Sequence, residues 1–129
     1  MRLLVDEYRK NWAIRYMREA ESDLSTAEIT PIPSLSVNLA VLAMRKMQLA
    51  IYYGLGDPSY VAFLVGNALR EGVRDGDSFL RFLAHLEWLI QIRSVKTSDS
   101  DKEDALREAK HLMKMALTFV TGIVGEEFA

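Results

Sequence analysis

The chain has 129 residues, 50% of them hydrophobic and 26% charged, with mean hydropathy near zero; this is the make-up of one globular domain over residues 1-129, with no room for a second. Zero cysteines exclude thiolate catalysis, thiolate-ligated zinc, iron–sulfur clusters and a disulfide framework. Sixteen Lys plus Arg against eighteen Asp plus Glu leave a net charge of −2, so no global positive field gathers nucleic acid or an anionic membrane.

The opening Met1-Arg2-Leu3-Leu4-Val5-Asp6-Glu7 turns acidic after three apolar residues, too short a run for a signal-peptide core, and the expected location is cytoplasmic. Over residues 4-29, Val5, Tyr8, Trp12, Tyr16, Ala20, Leu24 and Ala27 recur at intervals of three and four, widened by Ala13 and Met17, which predicts an amphipathic helix. Asp6 and Lys10 stand at i,i+4 in the favourable order. Thr30-Pro31-Ile32-Pro33 stops this helix, because proline lacks an N–H and biases its predecessor away from helical angles.

A second helix is predicted over 35-53, with Ser34 as its cap. Its clearly polar side chains are Ser36, Asn38, Arg45, Lys46 and Gln48, so it belongs at the centre of a bundle. Gly54 is expected to end it in a left-handed cap. Asp57 then caps a third helix over 58-71 with Pro58 at its first position, burying some of Tyr60, Val61, Phe63, Leu64, Val65, Ala68 and Leu69 before Gly72 closes it.

Asp75-Gly76-Asp77 makes a turn and cap for a fourth helix over 77-93, whose inward face is Phe79, Leu80, Phe82, Leu83, Leu86, Leu89 and Ile90. Ser94 to Ser100 reads as a polar linker, and Ser100 with Glu103 as a capping box. The fifth helix, over 101-124, keeps its spacing through Ala105, Leu106, Ala109, Leu112, Met113, Ala116, Phe119, Val120 and Ile123 until Gly125. No segment alternates as a strand, no repeat occurs, and no uncharged stretch reaches the roughly 20 apolar residues of a membrane span. The fold class is all-α, an up-and-down bundle of five helices joined by short turns.

The catalytic inventory is small, without phosphate-binding glycine loops, His-Glu-x-x-His or a nucleophile elbow. His85 and His111 each follow an arginine by four residues, Arg81 and Arg107, so each pair shares a helix face where a guanidinium can hold phosphate beside an imidazole that moves a proton. Against that reading, such pairs arise often on solvated faces, and Glu108 can pair with His111. Arg81, His85 and Trp88 form one stripe suited to edge packing or a subunit contact. Glu19 with Asp23, and Asp104 with Glu108, lack the Glu-x-x-His pattern of di-iron bundles, so neither metal nor cofactor is expected.

On the second helix, Asn38, Arg45, Gln48 and Tyr52 fall along one face. A buried arginine needs partners, so this stripe meets acids of another helix, solvent at a ligand groove, or a second subunit. The doublets Arg9-Lys10 and Arg45-Lys46 are too sparse for a nucleic-acid signature. The apolar second helix, with Trp12, Trp88 and Tyr52-Tyr53, offers more large apolar surface than five helices cover, which points to a dimer.

Ala20-Glu21-Ser22-Asp23-Leu24-Ser25-Thr26-Ala27, a second helix carrying Ala40, Ala43, Lys46 and Ala50, and then Tyr53-Gly54-Leu55-Gly56-Asp57-Pro58 resemble the opening two helices of HEPN domains, over about residues 8 to 60. The resemblance implies a small helical bundle that dimerises. Many such domains are RNA-cleaving toxins or defence effectors, often partnered with a nucleotidyltransferase, and others are non-catalytic binding modules. Active members carry Arg, four to six residues, then His, whereas Arg107 and His111 here have three between them, and Glu108 follows the arginine. The leading expectation is therefore a non-enzymatic homodimeric interaction module, with nucleic acid and membrane disfavoured as partners. The alternatives are a HEPN-type ribonuclease using Arg107 and His111, and a small-ligand or nucleotide-binding bundle lined by Arg45, Gln48 and Tyr52.

Overall fold

The computed structural model describes residues 6–73, 77–95 and 101–124 and holds five helices: α1 (Glu7–Ile29), α2 (Pro33–Leu55), α3 (Pro58–Glu71), α4 (Ser78–Val95) and α5 (Lys102–Val124). No strand occurs among the described residues, and the chain is an all-α bundle as its periodicity predicts. The expectations for residues 4 and 5, for Asp75-Gly76, for 96–100 with the Ser100 cap, and for Gly125 lie outside the described residues.

Several ends differ from the expected ones, each for a local reason. Asp6 does not support Lys10 from one turn away; it is the N-cap of α1, accepting from the Arg9 backbone N–H at 2.8 Å and from Arg9 Nε at 3.0 Å. Helix α2 starts at Pro33 rather than after Ser34, because proline at the first helical position forfeits only an N–H that has no partner there. Its C-terminal end passes through Gly54, which is helical and buried, to Leu55. The expected left-handed cap at Gly54 is therefore absent; the residue packs against α5, where a Cβ would stand in contact with Ile123 Cγ2 at 3.4 Å. Gly72 does take positive φ, +87°, and closes α3 as expected. Asp57 and Asp77 cap α3 and α4 by accepting from the N–H groups of Ser59 and Leu80. Helix α4 continues through Ser94 to Val95, two residues into the expected linker.

Helix α2 is the centre of the bundle and touches every other helix. Against α1 the match is antiparallel: Ser36 Oγ donates to the Ala27 carbonyl at 2.6 Å, Lys46 reaches Asp23 at 2.8 Å and Glu19 at 3.2 Å, and Arg9 Nη1 donates to the Tyr53 carbonyl. Lys102 donates to the Thr30 carbonyl at one end, and Ile123 lies beside Gly54 at the other, so α5 runs parallel to α2. Helix α4 is antiparallel to α5, with Arg93 on Glu108 and Asp101 and with Phe79 stacked on Phe119 at 5.2 Å. Thus α1, α2, α4 and α5 alternate in direction, while α3 packs chiefly on α4.

The seam is built from small residues. Buried Ala13, Met17, Ala20, Leu24 and Ala27 on α1 follow a strict four-three spacing, as do Ser36, Ala40, Ala43, Met47, Ala50 and Gly54 on α2. Such spacing keeps one face on a partner helix, and alanine lets the backbones approach closely. All five of these α1 residues belong to the expected stripe; Tyr8, also in it, is 67% exposed. Trp12 and Tyr16 are half-buried at the seam's edge, stacking with Tyr53 at 6.1 and 5.8 Å.

Candidate functional site

Helix α4 meets the α2 stripe of Arg45, Gln48 and Tyr52 on its inner face and carries the stripe of Arg81, His85 and Trp88 on its outer one. The inner one is completed by Glu87, the only acidic residue of α4, placed between Leu83 and Ile90 on the face toward α2. Its Oε1 accepts from Arg45 Nη1 at 2.5 Å and from Gln48 Nε2 at 2.7 Å, while Oε2 accepts from Gln91 Nε2 at 2.6 Å. Gln48, only 1% exposed, also accepts from Arg45 through Oε1 at 2.6 Å and donates to Tyr52 Oη at 3.0 Å.

The electrostatics follow from this enclosure. Burial pushes the Glu87 carboxyl up, but donors from Arg45, Gln48 and Gln91 outweigh it and hold the group below its ordinary value. Burial, reinforced by the Glu87 charge, pushes the Tyr52 phenol up to about 12. A phenol so held stays protonated at neutral pH, and its oxygen is engaged by the Gln48 amide. Arg45, Gln48 and Tyr52 are therefore brought together as expected, and with Glu87 they form a clamp between α2 and α4. Asn38 is exposed and stands apart from them.

The adjacent residue of the basic doublet turns the other way. Lys46 faces α1, where its ammonium meets Glu19 and Asp23; Asp23 Oδ2 is buried, and its contact is an ion pair at 2.8 Å without hydrogen-bond alignment. The Asp23 contact, followed by Glu19, raises the Lys46 pKa against the opposing effect of burial. Arg45-Lys46 thus ties α2 to α4 on one side and to α1 on the other, a structural use of both charges.

The outer stripe of α4 is different. Arg81 and His85 are exposed, and Trp88 is 49% exposed, with the His85 ring stacked on its indole at 5.7 Å between centroids. These three project from the side opposite Leu83, Leu86 and Ile90, which are buried. On α5, Arg107 and His111 are exposed and line one shallow groove of about 460 Å³ with Glu103, Lys110 and Lys114. Arg107 donates to Asp104 at 2.5 Å. Glu108 does not pair with His111 as expected: both of its oxygens accept from Arg93 at 2.7 Å, because α4 packs on that side of α5.

No group of three or more His, Asp or Glu residues among the described ones is placed to hold a metal ion. No described helix is long and apolar enough to cross a membrane. No protein-family model matches this chain, and neither does any curated protein or solved structure.

Proposed function

We propose that the chain is a cytoplasmic, non-enzymatic interaction module that works as a homodimer joined through the outer face of α4. The observation that carries this reading is the half-exposed indole of Trp88 stacked on His85, with Arg81 two turns away on the same face. Trp and Arg are the side chains most enriched among residues that dominate subunit contacts. The stripe is also self-complementary. A two-fold axis crossing α4 between Ala84 and His85 sets the Arg81 guanidinium of each copy over the Trp88 ring of the other, and isologous contacts of this kind close into a dimer. A net charge of −2 opposes that approach only weakly. Sedimentation equilibrium at micromolar concentration tests the reading: the wild type should sediment at twice 14.7 kDa and the Trp88→Glu variant, folded by circular dichroism, as a monomer. A wild type present only as the 14.7 kDa species refutes it.

A second reading, RNA cleavage by a HEPN-type domain, is favoured by one observation: Arg107 and His111 share a groove with two lysines. In it Arg107 holds phosphate and His111 moves the proton, and the nucleotidyltransferase partner implied by the family resemblance belongs here. RNA cleavage by the wild type that both Arg107→Ala and His111→Ala abolish, with folding intact, would replace the module reading.

A further inference from the structure

A concave site lies away from both the α2–α4 clamp and the outer stripe of α4. It is a groove of about 700 Å³ between the first turns of α4 and the C-terminal half of α5. Ile51 of α2 forms its floor, and Phe79, Phe82, Met115 and Phe119 form its walls. Phe79 stacks on Phe119 at 5.2 Å and lies 6.2 Å from Phe82, so the rings present a continuous apolar lining; Phe79 and Met115 are each still 40% exposed. This volume is in the range of ligand pockets, and three aromatic rings around an aliphatic floor would bury an apolar body of that size.

The polar groups are few and lie at the rim: Ser78, Thr118 and Lys114. Thr118 spends its hydroxyl proton on the Lys114 carbonyl, which leaves its oxygen as an acceptor only. Lys114 is exposed and has no carboxylate partner among the described residues, whereas Lys46, Lys102 and Lys110 are held by Glu19 and Asp23, by the Thr30 carbonyl and by Glu28. Lys114 also lines the neighbouring groove, where Arg107 is paired with Asp104 and Lys110 with Glu28, so the ammonium at the mouth of the apolar site is that of Lys114. An ammonium without a carboxylate partner among the described residues, at the mouth of an aromatic groove, is a receptor for one anionic head on an apolar body.

We infer that this groove binds a small amphiphilic monocarboxylate, its apolar body between Phe79, Phe82, Met115 and Phe119 and its carboxylate on Lys114. The Phe79 face of α4 is opposite Trp88, so the site is separate from the proposed dimer contact and its test does not depend on that contact.

Isothermal titration of the full chain with dodecanoate, and with dodecanol as the uncharged counterpart, tests the inference. Dodecanoate should bind saturably and one to one per chain, about ten-fold more tightly than dodecanol, a difference of about 1.4 kcal/mol. Lys114→Gln should bring dodecanoate down to the affinity of dodecanol and leave dodecanol unchanged. Met115→Glu, at a half-exposed wall position that tolerates charge in the free protein, should abolish binding of both. Absence of saturable dodecanoate binding overturns the inference, as does a Lys114→Gln variant that keeps the ten-fold preference or a Met115→Glu variant that binds as the wild type does.

Discussion

Replacing Glu87 by alanine removes the one acceptor on which the α2–α4 clamp converges. Three donors lose a carboxylate oxygen: Arg45, Gln48 and Gln91. They do not suffer equally. Gln91 is exposed and returns to water, and the Arg45 side chain, 38% exposed, can swing out, so neither leaves a stranded charge. Gln48 is 1% exposed and stays, keeping Tyr52 as a partner but losing its shorter bond. A charge-assisted bond and an under-satisfied buried amide together give a cost of about 2 to 3 kcal/mol, below the 3 to 5 of a fully buried broken pair because Arg45 rehydrates. Glu87→Gln keeps the shape and one acceptor and should cost about 1 kcal/mol. The pH dependence has a definite sign. The folded carboxyl titrates below its ordinary value of 4.5, so Glu87 contributes stability that is present above that value and lost as pH falls through the folded one. The gap between wild type and Glu87→Gln should therefore shrink on acidification and stay constant from pH 6 to 8. Urea unfolding followed by far-ultraviolet circular dichroism measures both effects. A Glu87→Ala variant within about 0.5 kcal/mol of wild type at pH 7, with unchanged m, would show that the clamp does not hold α4 in place.

Other outcomes follow from individual contacts. Gly72→Ala should cost about 1 kcal/mol through positive φ alone, since nothing surrounds the new Cβ, while Gly54→Val should cost about 1 to 3 kcal/mol by crowding Ile123 and Phe119; unfolding midpoints equal to wild type would refute either account. In an alkaline titration read by tyrosinate absorbance, Tyr52 should ionise near pH 12, and a Tyr52→Phe variant should lose that step. Because its folded pKa is raised, Tyr52 should make the protein lose stability as pH rises from 10 toward 12. Arg93→Ala removes a two-bonded contact to Glu108 from an arginine side chain only 13% exposed and should cost about 2 to 3 kcal/mol by urea unfolding; a loss under 0.5 would contradict the α4–α5 pairing.

The five helices were legible because each is bounded by residues with a physical reason to stop or start a helix: Pro31 and Pro33, Asp57-Pro58, Gly72 and Asp77. The position of α2 at the centre was legible too, since a helix with five clearly polar side chains has few faces to give to water. The five buried residues of α1, Ala13, Met17, Ala20, Leu24 and Ala27, all belong to the stripe legible in the sequence, whereas Tyr8, on the same stripe, is exposed. Gly54 reads as a stop because a residue without a side chain suits a left-handed cap, yet the helix continues through it to Leu55. The Arg45 stripe was visible, but its partner was missed. The signal was present: Glu87 is the one acid in an otherwise apolar and basic helix, and it falls in step with Leu83 and Ile90. Glu108 was assigned to His111 because neighbours in sequence are easier to see than Arg93, which is brought to it by the folding of α4 on α5.

The central claim is a two-fold contact through the outer face of α4, and cysteine cross-linking tests it most directly because the chain has no cysteine of its own. In helices packed about 8 to 10 Å apart, a residue beside the axis and facing it comes within disulfide reach of its own copy. Under mild oxidation, His85→Cys should give a covalent dimer at twice 14.7 kDa, while Ser25→Cys, on the exposed side of α1, should stay monomeric. Equal cross-linking of the two variants, or none at position 85, would contradict the dimer.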